Sequence, residues 1–170
     1  VRYTGDLKIE PALAESWQTV TPTTWRFKLR QGVKFHNGNP FTADDVIASL
    51  ARVTHETSPL KGNLPAYKGS KKIDDYTVEI EVNGPYPLLL NDLTNIYIFD
   101  KEWMEANNAS LPTDSGKGIK GYATDNANGT GPFVVESRRA DAKTIFVANP
   151  NWWDKPKHNI GRVEFTPITS

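Results

Sequence analysis

The chain has 170 residues, enough for one domain with a hydrophobic core of its own. Its 20 basic and 20 acidic residues balance, which argues against a surface built to neutralise nucleic-acid phosphates. The absence of cysteine excludes a disulfide framework, a thiolate metal site and a cysteine nucleophile. No apolar run approaches the roughly 20 residues of a membrane-spanning helix.

The first residues indicate a strand that is already under way, followed by a helical turn. Because the opening VRY looks like the end of a strand without its beginning, we expect the chain to be cut from a longer protein. Pro11 suits a first helical turn, and Leu13 and Trp17 are spaced four residues apart, on one helix face. Residues 10–17 are therefore predicted to form a short helical segment.

The next stretch predicts a strand and a turn. Apolar and basic residues alternate over residues 25–30, the period of a strand with one buried face, and residues 33–35 continue it. Asn37-Gly38 tolerates positive φ angles, and Pro40 restricts its own φ and the residue before it. The chain is therefore expected to turn between residues 37 and 40.

A capped helix follows this turn. Thr42 is a favourable N-cap, and Asp45 stands at the position that completes a capping box. The helix is predicted to extend to about Thr54. Its apolar stripe consists of Val46, Ile47, Leu50 and Val53.

The middle of the chain predicts a loop, a strand and two helices. Proline and glycine interrupt residues 56–70, which indicates an exposed loop. Strict alternation predicts a strand over residues 76–82, entered by a turn at residues 73–75. A short buried helix is expected over residues 88–93, and another helix over residues 101–107.

The last third predicts a long polar connection and three strands. Residues 108–131 have almost no apolar periodicity, and a connection of this length in a compact domain is often a binding loop. Residues 133–136 and 144–148 flank a polar turn and predict a hairpin, and a final strand is expected at residues 163–165. Residues 96–99 are predicted to be a short buried segment.

Few residues suggest catalysis, a metal ion or a cofactor. His36, His55 and His158 are the obvious candidates, but none has another histidine at ligand spacing. There is no G-x-S-x-G nucleophile motif, and Gly129-Thr130-Gly131 lacks the lysine of a phosphate-binding loop. The sequence therefore predicts no metal, cofactor or nucleotide. A hydrolase that uses His36 or His158 with a nearby acid remains an alternative.

The five tryptophans provide the other alternative, a carbohydrate-binding module. Their rings could stack on sugars if they were exposed. However, Trp17 and Trp25 occupy core positions of their predicted elements. Trp152-Trp153 lies in a Pro-Asn turn, where a large ring can fix a loop.

The order of the motifs resembles a family, the extracytoplasmic solute-binding proteins of peptide/nickel-type ABC transporters, known as family 5. The matching pieces are LKIEPALAESW (7–17), WRFKLRQGVKFHNGNPFTADDVIASLARV (25–53), IDDYTVEIEV (73–82), GTGPF (129–133), NPNWWD (149–154) and VEFTPI (163–168). There are two departures. His36-Asn37-Gly38 stands where an acidic residue before the glycine is more usual, and Trp152 replaces a common tyrosine.

The resemblance implies a mixed α/β fold of the type II periplasmic-binding-protein kind, of which this chain is part of the first lobe. Residues of about 18–128 correspond to the extra subdomain of family 5, and residues 1–17 and 129–170 lead toward the main sheet of the lobe and the hinge. The implied protein is not an enzyme. It captures a solute in the periplasm, or as a membrane-anchored lipoprotein, and delivers it to an ABC permease, and the fragment itself is expected to be monomeric.

The resemblance also implies candidate contacts with the solute, carried over by position. They are Pro59 and Leu60 after the first helix, then Asn95, Ile96 and Tyr97, and then Asn128, Gly129 and Thr130. Members of the family handle di- and oligopeptides, nickel chelates, haem, opines and some sugars. A peptide is the commonest of these and is the expected solute.

Overall fold

A computed structural model describes residues 1–118 and 121–168; Ile119 and Lys120 of the long connection, and Thr169 and Ser170, lie outside this description. The strands are β1 (Arg2–Tyr3), β2 (Ile9–Glu10), β3 (Ala14–Thr21), β4 (Thr24–Leu29), β5 (Tyr67–Asp74), β6 (Thr77–Val82), β7 (Phe133–Arg139), β8 (Lys143–Ala148) and β9 (Arg162–Phe165). The helices are α1 (Ala43–Thr54), α2 (Leu89–Leu93) and α3 (Lys101–Ala106). None of these helices is long and apolar enough to cross a bilayer.

The main sheet is antiparallel, with the strand order β3-β4-β6-β5. Its two central strands, β4 and β6, are those that the alternating patterns predicted. Phe27 pairs with Val78 in the ladder, and Trp25 pairs with Ile80. Because side chains alternate across a strand, Phe27, Val78 and Ile80 share the buried face, and each is at most 3% exposed. Strands β7, β8 and β9 form a second antiparallel sheet, and β1 pairs with β2.

Helix α1 covers the buried face of the main sheet, and its start is confirmed as predicted. The Thr42 N–H donates to Oδ2 of Asp45 at 2.7 Å, and the two residues form a capping box. Val46 and Leu50 are buried in one core cluster with the sheet, while Ile47 and Val53 pack at its edge. A capping interaction of this kind contributes about 1 kcal/mol, so most of the stability of the helix comes from its apolar face.

The predicted helical segment at residues 10–17 is wrong. Residues 14–21 form β3, and Trp17 pairs with Phe27 in the ladder with β4. The spacing of Leu13 and Trp17 suggested a helix face, but pairing with the neighbouring strand overrides this local pattern. The continuation of β4 through residues 33–35 is also wrong, since only a single bridge joins Lys34 to Pro40.

The predicted loop over residues 56–70 ends earlier than expected, because β5 begins at Tyr67. Gly69 was interpreted as a strand breaker, but it lies at a register shift between β5 and β6, where the strand remains paired. The turn predicted at residues 73–75 is correspondingly displaced to Asp75 and Tyr76.

Except for β2, the remaining elements are those expected from the sequence. Helices α2 and α3, the β7–β8 hairpin and the final strand β9 form at the predicted places. Residues 96–99 are less buried than predicted, because Tyr97 is 80% exposed. The connection between α3 and β7 has only two short 3₁₀ turns among its described residues.

Candidate functional site

A cavity of about 620 Å³ lies beside the core of the main sheet. Two connecting segments line it, residues 94–98 after α2 and residues 127–131 before β7. Within them Asn95 and Asn128 do not belong to the lining, and the side chain of Asn128 points away. Phe133 and Phe146, from β7 and β8, line it as well. Its lining is mostly apolar, and volumes of this size are typical of sites for small molecules.

Four of the eight predicted contact residues line this cavity. They are Ile96 and Tyr97 in the first segment, and Gly129 and Thr130 in the second. The structure therefore brings together two of the three predicted groups, which are more than 30 residues apart in the chain.

The other four predicted residues lie elsewhere. Asn95 is exposed and adjoins the lining, whereas Asn128 is 5% exposed and directs its amide to Asp100. Pro59 and Leu60 are exposed and do not line the cavity. Whether any of the eight contacts a solute stays a prediction.

His36 fixes the second segment through its ring and its backbone. Its backbone N–H donates to the carbonyl of Gly129 at 2.8 Å, and the Gly129 N–H donates to Nδ1 of the ring at 3.3 Å. Because Nδ1 accepts, the neutral ring carries its proton on Nε2, which donates to the carbonyl of Gly131 at 3.1 Å. This histidine therefore supports residues 129–131, and it also lines the cavity.

The buried carboxylate of Asp100 holds Asn128, the residue that precedes 129–131. Oδ2 of Asp100 accepts hydrogen bonds from the side-chain amides of Asn37 (2.7 Å), Asn39 (2.8 Å) and Asn128 (2.9 Å). Its Oδ1 accepts from the Trp103 N–H at 3.0 Å and so caps α3. We call these three amides and Asp100 the asparagine clamp. It joins the 37–39 turn, the start of α3 and the segment 127–131.

The charges of the clamp follow from its hydrogen bonds. Burial alone would raise the pKa of Asp100, but the bonds from the Trp103 N–H and the asparagine amides outweigh it and hold this pKa below its ordinary value. For the neighbouring Asp45, burial dominates and raises the pKa, although the Lys101 and Thr42 N–H groups act in the opposite direction.

Asp45 and Asp100 also come close to Glu102, with carboxylate oxygens within 4.8 Å of one another. Three carboxylates at this distance can suggest a cation site. Here the oxygens of Asp45 and Asp100 already accept hydrogen bonds from N–H groups of the protein. The arrangement therefore serves as a set of hydrogen-bond acceptors that organises the surrounding backbone.

Some uncharged polar groups of the cavity lining are free to bond to a ligand. Within residues 1–118 and 121–168, neither the backbone N–H nor the hydroxyl of Thr130 has a hydrogen-bond partner. The hydroxyl of Tyr97 also makes no bond there. The Arg2 guanidinium lines the cavity but is engaged by Glu10 (2.7 Å) and Asp154 (2.9 Å). The site can therefore contact apolar groups and donate or accept hydrogen bonds.

The alternatives from the sequence lose their structural basis. All five tryptophans are partly buried, so none presents the fully exposed ring that favours a carbohydrate platform. Both ring nitrogens of His36 contact backbone groups, and Nδ1 of His158 accepts from the Ile160 N–H at 3.2 Å. Neither histidine is paired with a carboxylate in the part of the chain described.

Sequence reasoning missed the asparagine clamp. Asp100 could have been recognised as a helix N-cap, because it precedes the helical sequence KEWMEA. Nothing in the sequence pairs it with residues 63 and 28 positions away. Asn37 and Asn39 were interpreted only as turn residues.

The fold and the cavity define the chain as part of a lobe of the type II periplasmic-binding-protein kind. Residues 8–170 match the model of the bacterial extracellular solute-binding proteins, family 5 (middle part). The chain belongs to this family, as its motif order suggested.

Individual relatives are consistent with this assignment. Heme-binding protein A of Haemophilus influenzae is 32% identical over 88% of the chain and 30% of its own length. NikZ of Campylobacter jejuni, solved with Ni(L-His), is 25% identical over 98% of the chain and 32% of its own, with a TM-score of 0.84. DppA of Helicobacter pylori, solved with the peptide STSA, is 28% identical over 95% of the chain and 34% of its own, with a TM-score of 0.72. The chain thus spans about a third of the length of these relatives.

Proposed function

We propose that the chain belongs to the first lobe of a solute-binding protein that captures a peptide or similar small solute for an ABC permease. The observation that carries the proposal is the apolar cavity lined by residues 94–98 and 127–131. Residues 18–128 would form the extra subdomain, and residues 1–17 and 129–170 would lead to the rest of the lobe. The protein would act in the periplasm, or as a lipoprotein anchored outside the cytoplasmic membrane.

The chemistry of the cavity favours capture without catalysis. Its unpartnered groups, the Thr130 hydroxyl and N–H and the Tyr97 hydroxyl, can bind a solute but include no activated base or nucleophile. A second lobe would close over the solute by a hinge motion and exclude water from it. Ile96, Tyr97, Gly129 and Thr130 are the proposed contacts of the first lobe.

A peptide suits these groups better than a charged chelate. A peptide presents amide groups that can bond to Thr130, together with side chains that can enter the apolar interior. The relatives solved with STSA and with Ni(L-His) show that related lobes serve different solutes. The apolar lining, together with the unpartnered groups of Thr130 and Tyr97, is what supports the peptide here.

Mass spectrometry of the solute that copurifies with the full-length protein tests the proposal. We expect peptides to be released on denaturation and to raise the melting temperature when added back. The expectation of a peptide would be wrong if no peptide raised the melting temperature and the copurified solute were a nickel chelate, haem, an opine or a sugar. Turnover of an ester or peptide substrate that is lost in His36→Ala would contradict capture without chemistry.

A further inference from the structure

The segment 127–131 has alternating contacts that need an explanation. Asn128 turns its side chain into the asparagine clamp, while its neighbours on both sides line the cavity. Gly129 and Gly131 are bonded to His36, and Gly131 also accepts from the Asn149 amide at 3.1 Å. Thr130 is the residue of this segment with a polar side chain that has no hydrogen-bond partner within residues 1–118 and 121–168.

The amide of Asn128 is fully engaged. Its Nδ2 donates to Asp100 at 2.9 Å, and its Oδ1 accepts from the Asn37 N–H at 3.1 Å. Asn128 is 5% exposed and Asp100 is completely buried. Hydrogen bonds to a buried carboxylate are strong, and a buried carboxylate without its donors is costly, so this contact strongly restricts the position of the segment.

We propose that Asp100 is a positioning residue for the cavity, because its clamp on Asn128 holds residues 127–131 in the conformation that directs Thr130 at the solute. Asp100 lies two residues after the first lining segment, residues 94–98, so it is placed to fix both sides of the site at once. The role of Thr130 as a contact rests on the proposed function. The control of the conformation of the segment by Asp100 does not.

The substitution Asp100→Asn separates this role from helix capping. Asparagine is as good an N-cap as aspartate, so its oxygen can keep the bond to the Trp103 N–H. Its NH₂ group, however, then faces the amide donors of the asparagines instead of an acceptor. Hydrogen exchange of the full-length variant should therefore rise about tenfold or more at three reporter amides and stay unchanged in β4 and β6. These amides are the Gly129 N–H, which donates to His36, and the His36 and Asn37 N–H groups, which donate to Gly129 and Asn128.

The reciprocal double variant Asp100→Asn, Asn128→Asp provides a rescue. In this variant the carboxylate is at position 128 and the amide at position 100, so the amide can again donate to the carboxylate. Protection of the three reporter amides should recover, which a general loss of packing would not allow. Asn39→Ala is the matched control, because it removes one bond to Asp100 and leaves the two bonds of Asn128 in place.

Titration with the tripeptide Ala-Phe-Ala measures the effect on binding. We expect Asp100→Asn to weaken its affinity about tenfold and the double variant to restore it. If the wild-type protein does not bind Ala-Phe-Ala or other peptides, the proposed peptide is wrong, and the exchange measurement alone decides the role of Asp100.

Two results would overturn the role of Asp100. One is unchanged exchange of the three reporter amides in Asp100→Asn; the other is a local increase that the double variant does not reverse. Should Asp100→Asn fail to fold, Asn128→Ala leaves Asp100 with the other two amides and should produce the same local increase. Normal protection in Asn128→Ala would then reject the proposal.

Discussion

Helix α1 has two buried sides, and they hold their neighbours by different forces. Toward the main sheet it presents Val46 and Leu50, which belong to the apolar core. Toward α3 it presents Asp45, Ser49 and Arg52, spaced four and three residues apart on one face. The first side is stabilised by burial of apolar surface, and the second by hydrogen bonds to the backbone that leads to the site.

The polar side makes at least one bond per turn of the helix. Asp45 Oδ1 accepts an N–H, Ser49 Oγ accepts another, and Arg52 Nε donates to a carbonyl, each at 2.8 Å. The partners are the backbone groups of Lys101, Phe99 and Ala109, in that order. The comparison indicates that the core determines global stability, while the polar contacts determine where the lining segments lie.

The largest effect is expected on the apolar side. Phe41 is 1% exposed and is among the largest fully buried side chains. Phe41→Ala should lower the free energy of unfolding by about 3–5 kcal/mol, because it removes buried surface and leaves a cavity. Urea denaturation measures this, with Leu60→Ala, at a 52% exposed position, as the control. A loss below about 1 kcal/mol would show that the core is less tightly packed there.

The polar side should show a smaller and more local effect. Ser49→Ala removes the acceptor of the Phe99 N–H and should cost about 1–2 kcal/mol, the usual penalty for a buried donor left without a partner. Hydrogen exchange should rise around residues 99–101 before it rises in β4 and β6. Ser16→Ala, at an exposed position of β3, is the control. A uniform rise of the exchange rates over the whole chain in Ser49→Ala would contradict the distinction between the two sides.

The two sides also differ in how well the sequence predicted them. Strands β4 and β6 and the apolar face of α1 follow from periodicity, because a core-facing side chain repeats with the period of its element. Polar residues on a helix are normally solvated, so nothing marked Asp45 or Ser49 as buried. The misassigned β3 has the same origin, since its pairing with β4 is a tertiary contact that local spacing does not encode.

The candidate site was predictable in outline only. The resemblance to family 5 indicated residues 95–97 and 128–130, and the fold places part of both groups at one cavity. It could not distinguish Thr130, which faces the cavity, from Asn128, which faces Asp100. That difference depends on contacts between residues far apart in the chain.

Acid should weaken the clamp before it affects the core. The lowered pKa of Asp100 means that its contribution to stability is present above the ordinary pKa of aspartate, about 3.9, and is lost as the pH falls through the lower value of the folded protein. Between neutral pH and about pH 3, wild type should therefore lose more unfolding free energy than Asp100→Asn. The raised pKa of Asp45 acts in the opposite direction, and the charge of Asp100 is one of its causes, so the difference between the two proteins reports Asp100 together with its effect on Asp45. Equal losses would contradict the lowered pKa.

The smallest change in stability is expected for substitutions of two exposed residues, Tyr97 at the cavity rim and Leu60 outside the cavity. Both are large exposed side chains, 80% and 52% accessible, but only Tyr97 lines the cavity. Tyr97→Ala and Leu60→Ala should each alter the free energy of unfolding by less than about 0.5 kcal/mol. Tyr97→Ala should nevertheless weaken binding of the copurified solute, whereas Leu60→Ala should leave the affinity unchanged. If affinity were lost only in Leu60→Ala, the solute would instead bind at the loop after α1. A substitution that leaves the stability unchanged is expected to weaken binding only where the side chain contacts the solute.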